Sequence, residues 1–172
     1  MDVKIVEIES GKLLNAKIVL KQKLNFHLPS IADGWRFNFN KHSKKINHQT
    51  FVLYCADTPE TIEGCLIFEM RNYVEPYRAY VEVAPHNRGP KKIRGNVAGC
   101  LIAFACRLSF IHGQGDYLGW LAFEVLEESQ EDEIKLMAVY SSKYNALRFG
   151  DTTTMVIPPE GGEKLINEFL NS

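Results

Sequence analysis

The sequence has few features that point away from an ordinary globular protein. Its four cysteines form no Cys-x-x-Cys pair and have no zinc-finger spacing with histidine. The formal net charge is −1, so the overall charge gives no support for a nucleic-acid or membrane partner. No apolar run approaches the length of a membrane span, and the N-terminus has no apolar leader segment. We therefore expect a cytoplasmic protein with buried free thiols, no metal, no nucleic-acid partner and no membrane association.

Several common catalytic motifs are missing as well. The chain contains neither G-x-G-x-x-G nor G-x-x-x-x-G-K-[ST], which disfavours a dinucleotide-binding fold and a P-loop NTPase. It also lacks the G-x-S-x-G and H-E-x-x-H signatures. The five histidines are scattered, and His42 and His48 fall in a polar loop where we expect no metal site.

The composition itself is that of a soluble globule. Hydrophobic residues make up 45% of the chain and charged residues 24%. A chain of 172 residues is long enough to bury a core without disulfides or metals. We expect a single domain that spans residues 1–172.

The segment from residue 80 to residue 111 is the most informative part of the chain. A β-branched run at Tyr80–Val83 precedes a basic loop, and an apolar helix is predicted from Asn96 to Ile111. Backbone N–H groups at a helix N-terminus have no helical partner and attract phosphate. The layout therefore predicts a diphosphate-binding turn, with an ordinary strand-to-helix connection as the alternative.

Residues 94–99 resemble the central motif of the GNAT superfamily, the acetyl-CoA-dependent N-acetyltransferases. In that motif, [RQ]-x-x-G-x-[GA] follows a strand that ends near Val-x-Pro. Arg94 and Gly99 fit the pattern, whereas Val97 stands where the superfamily usually has glycine. A β-branched residue there has less backbone freedom for close approach to a pyrophosphate. The resemblance covers residues 50–157 well and residues 1–49 poorly.

The resemblance implies an α/β (α+β) domain with a mixed, mostly antiparallel twisted sheet and helices on both faces. The hydrophobic patterns predict strands at 2–9, 13–24, 50–57, 61–70, 79–83, 117–126 and 152–157, and helices at 96–111, 133–144 and 163–170. Turns or loops are predicted at 71–77 and 158–162. Residues 29–45 would supply the helices over the acceptor site, where Trp35, Phe37 and Phe39 either line a cleft or fill the core.

The strands on either side of the apolar helix are expected to run parallel, because the helix is long enough for a crossover. The GNAT resemblance adds that these two strands splay apart and hold the pantetheine arm of the cofactor between them.

Acetyl transfer to an amine needs two proton transfers: the ammonium loses one and the departing thiolate gains one. Glu82 is the first candidate for the base, with His86 as a weaker one. Tyr140 is the candidate acid and Tyr144 is its fallback. The residues expected to contact acetyl-CoA are the backbone of Val83, then Arg88, Arg94, Gly95, Asn96, Val97, Ala98 and Gly99.

The predicted function is transfer of an acetyl group from acetyl-CoA to an amine, directly within a ternary complex. The alternative is a non-catalytic GNAT-like module that binds CoA or a protein partner. A third, weaker hypothesis is that residues 88–94 bind another phosphate ligand, such as a nucleotide. The expected partners are a small-molecule or peptide amine and, since the last strand commonly pairs between subunits in this superfamily, a second copy in a homodimer.

Overall fold

The computed structural model describes residues 1–23, 25 and 27–171. Within these residues, nine strands form one mixed sheet in the spatial order β6-β1-β2-β3-β4-β5-β7-β9-β8. The strands are β1 Asp2–Glu7, β2 Leu13–Leu20, β3 Gln49–Cys55, β4 Ile62–Arg71, β5 Glu75–Val83, β6 Arg94–Gly95, β7 Leu121–Glu124, β8 Leu147–Arg148 and β9 Thr154–Ile157. Every neighbouring pair is antiparallel except β5 and β7, which are parallel.

Helices cover both faces of this sheet. They are α1 Phe39–His42, α2 Val97–His112, α3 Gln130–Tyr144 and α4 Pro159–Phe169. The expected fold class, a mostly antiparallel mixed sheet with helices on both faces, is confirmed. The N-terminus of α3 is stabilised in two ways. The Ser129 side chain accepts a hydrogen bond from the Asp132 amide, and the first turn contains several acidic residues, which the helix dipole favours.

The sheet separates two hydrophobic cores. The larger core packs α2, α3 and α4 on one face and includes the fully buried Leu101, Phe123 and Met155. The smaller core lies on the other face, where Trp35 and Phe39 pack with their ring centres 5.7 Å apart. Burial of each such side chain contributes about 1.5–3 kcal/mol to folding. Trp35 and Phe39 therefore fill a core rather than line a cleft.

The basic loop before α2 is fixed to the edge of the sheet. Its short strand β6 pairs with β1, with Val6 opposite Gly95 and Glu7 opposite Arg94. This strand is absent from the predicted elements, because two residues are too few to produce a hydrophobic pattern. The pairing holds the start of α2 against the N-terminal hairpin.

Several predicted boundaries are wrong at their ends. Strand β2 stops at Leu20 and is followed by a 3-10 turn at Lys21–Lys23, while Leu24 lies outside the described residues. Strand β7 occupies only Leu121–Glu124 of the predicted 117–126, since Gly119 takes a left-handed φ of 81° and keeps the preceding residues in a turn. Residues 29–45 form only a 3-10 turn at Ile31–Asp33 and the four-residue helix α1.

Two segments predicted as loops are regular elements. Strand β5 begins at Glu75, and Pro76 pairs with Met70 of β4 within it. Helix α4 begins at Pro159, where a proline at the first helical position loses no hydrogen bond that the helix would have made. Proline inside a strand or helix usually interrupts it, but Pro76 and Pro159 stand at positions that tolerate proline.

Candidate active site

The parallel strands β5 and β7 separate almost as soon as they meet. Among the described residues, Tyr77 and Ala122 form their single paired position. A cavity of about 370 Å³ lies beyond that point, between β5 and the chain that follows β7. Its lining comes from six segments of the chain: Arg36, Phe37, Lys45, His48, Glu69, Arg71, Tyr77, Arg78, Ala79, Tyr80, Val81, Glu124, Val125, Leu126, Glu127, Leu136 and Tyr140. This space is called the splay cavity below.

A β-bulge in β5 shapes one wall of the splay cavity. Ile67 pairs with Tyr80 and Phe68 pairs with Arg78, which leaves Ala79 as the extra residue. Residues two apart normally share a face of a strand, and a bulge breaks that rule. Tyr80 accordingly packs with the aromatic residues of the smaller core, whereas the Arg78 guanidinium lies over Phe123 of the larger core.

An imidazole and a carboxylate face each other at the cavity wall. Nδ1 of His48 lies 2.8 Å from the carbonyl oxygen of His42 and so donates to it. Nε2 of the same ring lies 3.5 Å from the Glu69 carboxylate. Glu69 also accepts from Nε of Arg71 at 3.2 Å. This pair is not among the residues predicted from the sequence, because the β3–β4 pairing joins the two and no local pattern does.

Glu82 faces away from α2, as its position between Val81 and Val83 predicts, but it is neither solvent-exposed nor free. Its carboxylate accepts hydrogen bonds from the backbone amides of Arg36 at 2.8 Å and Phe37 at 3.1 Å. It also pairs with Nη1 of Arg88 at 3.1 Å, and only 7% of the residue is exposed. These contacts attach the segment before α1 to the central strand.

Arg88 completes this attachment. Its Nη2 donates to the carbonyl oxygen of Gly34 at 2.8 Å. The side chain is thus directed toward the segment before α1 and not toward the N-terminus of α2. Its place in the sequence predicts a side chain near the N-terminus of α2, because Arg88 belongs to the same basic loop as the residues that precede α2.

The residues of the GNAT-like motif meet at a second, smaller cavity. It has a volume of about 110 Å³ and is called the α2 cavity below. The residues that line it are Val83, Asn87, Lys92, Arg94, Gly95, Asn96, Val97, Ala98, Gly99, Lys143, Tyr144 and Phe169. Asn96 takes a left-handed φ of 66° at the N-cap and makes no side-chain cap hydrogen bond. The first-turn amides of α2 therefore have no capping side chain.

Val97 and Gly99 each have a packing reason within this motif. Val97 is 2% exposed and packs toward Gly64, where a Cβ would lie 2.9 Å from Val97 Cγ1. Its β-branched side chain is thus buried in the core against β4. At Gly99, a Cβ would lie 2.3 Å from the ring of Phe169, so this glycine permits close contact between α2 and α4.

The side chain of Arg94 is held by two acids. Nη1 lies 2.9 Å from Glu7 and Nε lies 3.9 Å from the buried Glu63. Glu63 also accepts from Asn87 at 2.7 Å and pairs with His86 at the same distance. This network fixes the loop before α2, and it places His86 outside the residues that line either cavity.

The two candidate tyrosines line different cavities. Tyr140 lines the splay cavity, with its ring centre 4.8 Å from that of Phe123. Tyr144 lines the α2 cavity and is 6% exposed. Burial raises the pKa of the Tyr144 hydroxyl from 10.0 to about 12, which weakens it as an acid.

The described part of the chain contains no group of three or more His, Cys, Asp or Glu side chains placed to hold a metal ion. Residues 1–23, 25 and 27–171 also contain no helix that is long and apolar enough to cross a membrane.

Comparison with known proteins gave matches only among solved structures. No family model matches the sequence, and no curated protein matches it. The KacTA–DNA complex matches with a TM-score of 0.59 at 13% identity, over 89% of this chain and 99% of that one. The AtaT–AtaR complex bound to DNA matches with a TM-score of 0.55 at 14% identity, over 87% and 99% of the two chains. AtaTR bound with AcCoA matches with a TM-score of 0.54 at 13% identity, over 88% and 98%.

These comparisons establish the fold. The chain has the fold of the GNAT acetyltransferases, as the motif at residues 94–99 implied. They also correct one expectation: the inference that no nucleic acid is involved is wrong, since two of the matched structures are complexes with DNA. Net charge is a sum over the whole surface and does not report local patches or what a partner chain contacts.

Proposed function

We propose that this chain is an acyltransferase that moves an acetyl group from acetyl-CoA to an amine within a ternary complex. One observation carries the proposal: the parallel strands β5 and β7 pair at Tyr77 and Ala122 and then leave a cavity between them. Such a gap exposes strand backbone that can pair with the amides of a pantetheine arm. The same fold in AtaTR holds AcCoA.

The pyrophosphate of acetyl-CoA is assigned to the α2 cavity. The uncapped amides at the start of α2 supply hydrogen-bond donors, and Lys92 and Lys143 supply positive charge. Gly95, Asn96, Val97, Ala98 and Gly99 contribute through their backbone. Arg94 and Arg88 act as positioning residues in this proposal, because their side chains already bind Glu7 and Glu82.

His48 is assigned as the base, in place of Glu82. Its Nδ1 donates to the His42 carbonyl, and this fixes a lone pair on Nε2 in the neutral ring. Glu69 beside Nε2 attracts the ammonium form of the acceptor. Glu82 is a poorer choice, since its carboxylate already accepts from two backbone amides and Arg88.

The chemistry then follows in three steps. The acceptor ammonium gives a proton to Nε2 of His48, and its nitrogen lone pair attacks the thioester carbonyl carbon. Unpaired N–H groups of β5 beyond Tyr77 stabilise the negative charge on the carbonyl oxygen. The C–S bond breaks while the new C–N bond remains, and the CoA thiolate takes the proton of the Tyr140 hydroxyl. The second proton of the attacking nitrogen passes to the Tyr140 oxygen, so the amide is neutral and the tyrosine is restored.

A turnover assay tests this proposal. The protein is incubated with acetyl-CoA and a panel of amines (polyamines, aminoglycosides, amino acids and peptides), and both released thiol and acetylated product are measured. His48→Gln and Tyr140→Phe are each expected to slow turnover by about 100-fold or more while the Kd for CoA is unchanged. Glu163→Gln on the exposed side of α4 is the control.

The non-catalytic module remains the second candidate function, and one observation favours it. The ionic side chains expected at the site, Glu82, Arg88 and Arg94, are all engaged in internal pairs. Binding of CoA without product from any acceptor would support this second candidate. Equal turnover by the wild type and His48→Gln would contradict the assignment of the base.

A further inference from the structure

Arg78 is a buried cation without an acid to neutralise it among the described residues. Only 5% of the residue is exposed, and it forms part of the splay cavity wall. Its guanidinium carbon lies 3.8 Å from the ring centre of Phe123 and 4.7 Å from that of Tyr140. Nη1 is shielded from solvent and has no hydrogen-bond partner in the part of the chain that the structure describes.

The other arginines of the splay cavity are paired. Arg36 binds both oxygens of Glu127, at 3.0 and 2.8 Å, and Arg71 binds Glu69 at 3.2 Å. The third acid of the cavity, Glu124, accepts from the hydroxyl groups of Thr153 and Thr154. The acids on the cavity wall thus have other partners, and Arg78 makes no ion pair within the described residues.

Such a residue is energetically unfavourable in the unliganded protein. Removing a guanidinium from water without a counter-charge costs more than stacking on two rings returns. The bulge at Ala79 nevertheless directs the side chain to this place. Bulges that re-aim a side chain are common beside functional sites. A ligand that supplies the missing negative charge would account for both features.

We propose that Arg78 binds a carboxylate group of a substrate in the splay cavity. The planar guanidinium matches a carboxylate in a two-point hydrogen bond, and the stacked rings hold its plane. A modest turn of the side chain is needed to present Nη1 to the cavity. The carboxylate has two possible sources: the far end of a dicarboxylic acyl group on CoA, or an amino-acid acceptor. Both sources rest on the proposed acyl transfer.

Matched ligands separate these two sources. Succinyl-CoA and butyryl-CoA differ by a terminal carboxylate in place of a methyl group, and lysine and cadaverine differ only by the α-carboxylate. Calorimetry measures each Kd with the wild type, Arg78→Lys and Arg78→Met, with Arg107→Met on the exposed side of α2 as the control.

The expected result is a preference of about tenfold or more for the carboxylate-bearing member of one pair. Arg78→Met should abolish that preference and Arg78→Lys should keep part of it, with no change in Arg107→Met. The pair that shows the effect identifies the source. Absence of a carboxylate preference in both pairs overturns the proposal, as does a preference that survives in Arg78→Met.

Thermal unfolding gives an independent test and separates this inference from the proposed function. If Arg78 is retained for a ligand, the melting temperature of unliganded Arg78→Met should equal or exceed that of the wild type. A fall of roughly 5 °C or more would mean that stacking on Phe123 and Tyr140 is its purpose, and would overturn the proposal. Failure of every CoA ester to bind would count against the proposed function, while lysine and cadaverine would still decide the role of Arg78.

Discussion

Arg88 and Glu82 form an ion pair of 3.1 Å that joins the loop after β5 to the segment before α1. Arg88 also donates a hydrogen bond to the carbonyl oxygen of Gly34. Glu82 accepts hydrogen bonds from the backbone amides of Arg36 and Phe37. Because Phe37 lines the splay cavity, this pair supports one wall of the candidate site.

Glu82→Gln tests whether this residue positions the wall or acts as a base. The amide can accept from one backbone N–H but cannot balance the charge of Arg88, so the free energy of unfolding should fall by roughly 2 kcal/mol. Urea denaturation measures the change, and Glu163→Gln serves as the exposed control. Unchanged stability together with turnover slowed by about 100-fold or more would return the role of base to Glu82.

Gly99→Ala tests the contact between α2 and α4. The added methyl group meets the ring of Phe169 at 2.3 to 2.6 Å, so a destabilisation of roughly 1–3 kcal/mol is expected from overpacking. Gly99→Ala combined with Phe169→Leu should lose less than the sum of the two single changes, which a double-mutant cycle in urea measures. Additive losses would show that the two residues are not coupled.

The sequence predicted the fold well where local pattern and tertiary structure agree. The hairpin of β3 and β4 and the helix α2 carry strong apolar runs, and they appear within one or two residues of their predicted bounds. Pro76 misled the prediction of β5 because proline is rare in strands. Pro76 is tolerated because, among the described residues, β7 pairs with β5 only at Tyr77. The missing N–H of Pro76 therefore costs no hydrogen bond to β7.

The candidate site was harder to predict because its residues meet only through the sheet. The motif at residues 94–99 is contiguous and was found directly. His48 and Glu69 come together through the β3–β4 pairing, and Arg78 takes its direction from an extra residue at Ala79. Ionic pairing of Arg88 and Arg94 with distant acids likewise leaves no trace in the nearby sequence.

The protein should lose stability steeply in alkaline solution. Burial raises the pKa of Cys100 and Cys106 from 9.0 to about 12 and that of Tyr144 from 10.0 to about 12. The folded state therefore holds protons that the unfolded state has released, so stability is full below about pH 9 and falls as pH rises toward 12. Each unit of pKa difference between the folded and unfolded states lowers the free energy of unfolding by at most about 1.4 kcal/mol per group.

Urea denaturation at pH 8, 10 and 11 checks this expectation. Tyr144→Phe and Cys106→Ala should each make the decline with pH shallower, whatever their effect at pH 8. A free energy of unfolding that stays constant to pH 11 would contradict the burial of these groups.

The thiols should be unreactive in the native protein. All four cysteines, Cys55, Cys65, Cys100 and Cys106, are free and buried, and burial raises the pKa of each thiol. A thiolate is the reactive form, so a disulfide reagent at pH 7.5 should label all four only after unfolding in urea. Rapid labelling of any cysteine in the native protein would show that its surroundings open easily.

Binding of CoA at the start of α2 underlies the whole proposed mechanism, and calorimetry tests it directly. Ala98→Asp adds a negative charge in the first turn of α2. A carboxylate there stabilises the helix through its dipole but repels a pyrophosphate. Lys92→Glu reverses a charge of the α2 cavity, and Lys164→Glu makes the same change on the exposed side of α4. We expect micromolar binding of CoA to the wild type and Lys164→Glu, weakened about tenfold or more in the other two variants. No binding of CoA or acetyl-CoA to the wild type, or equal affinity in Ala98→Asp, would contradict a pyrophosphate site at this helix.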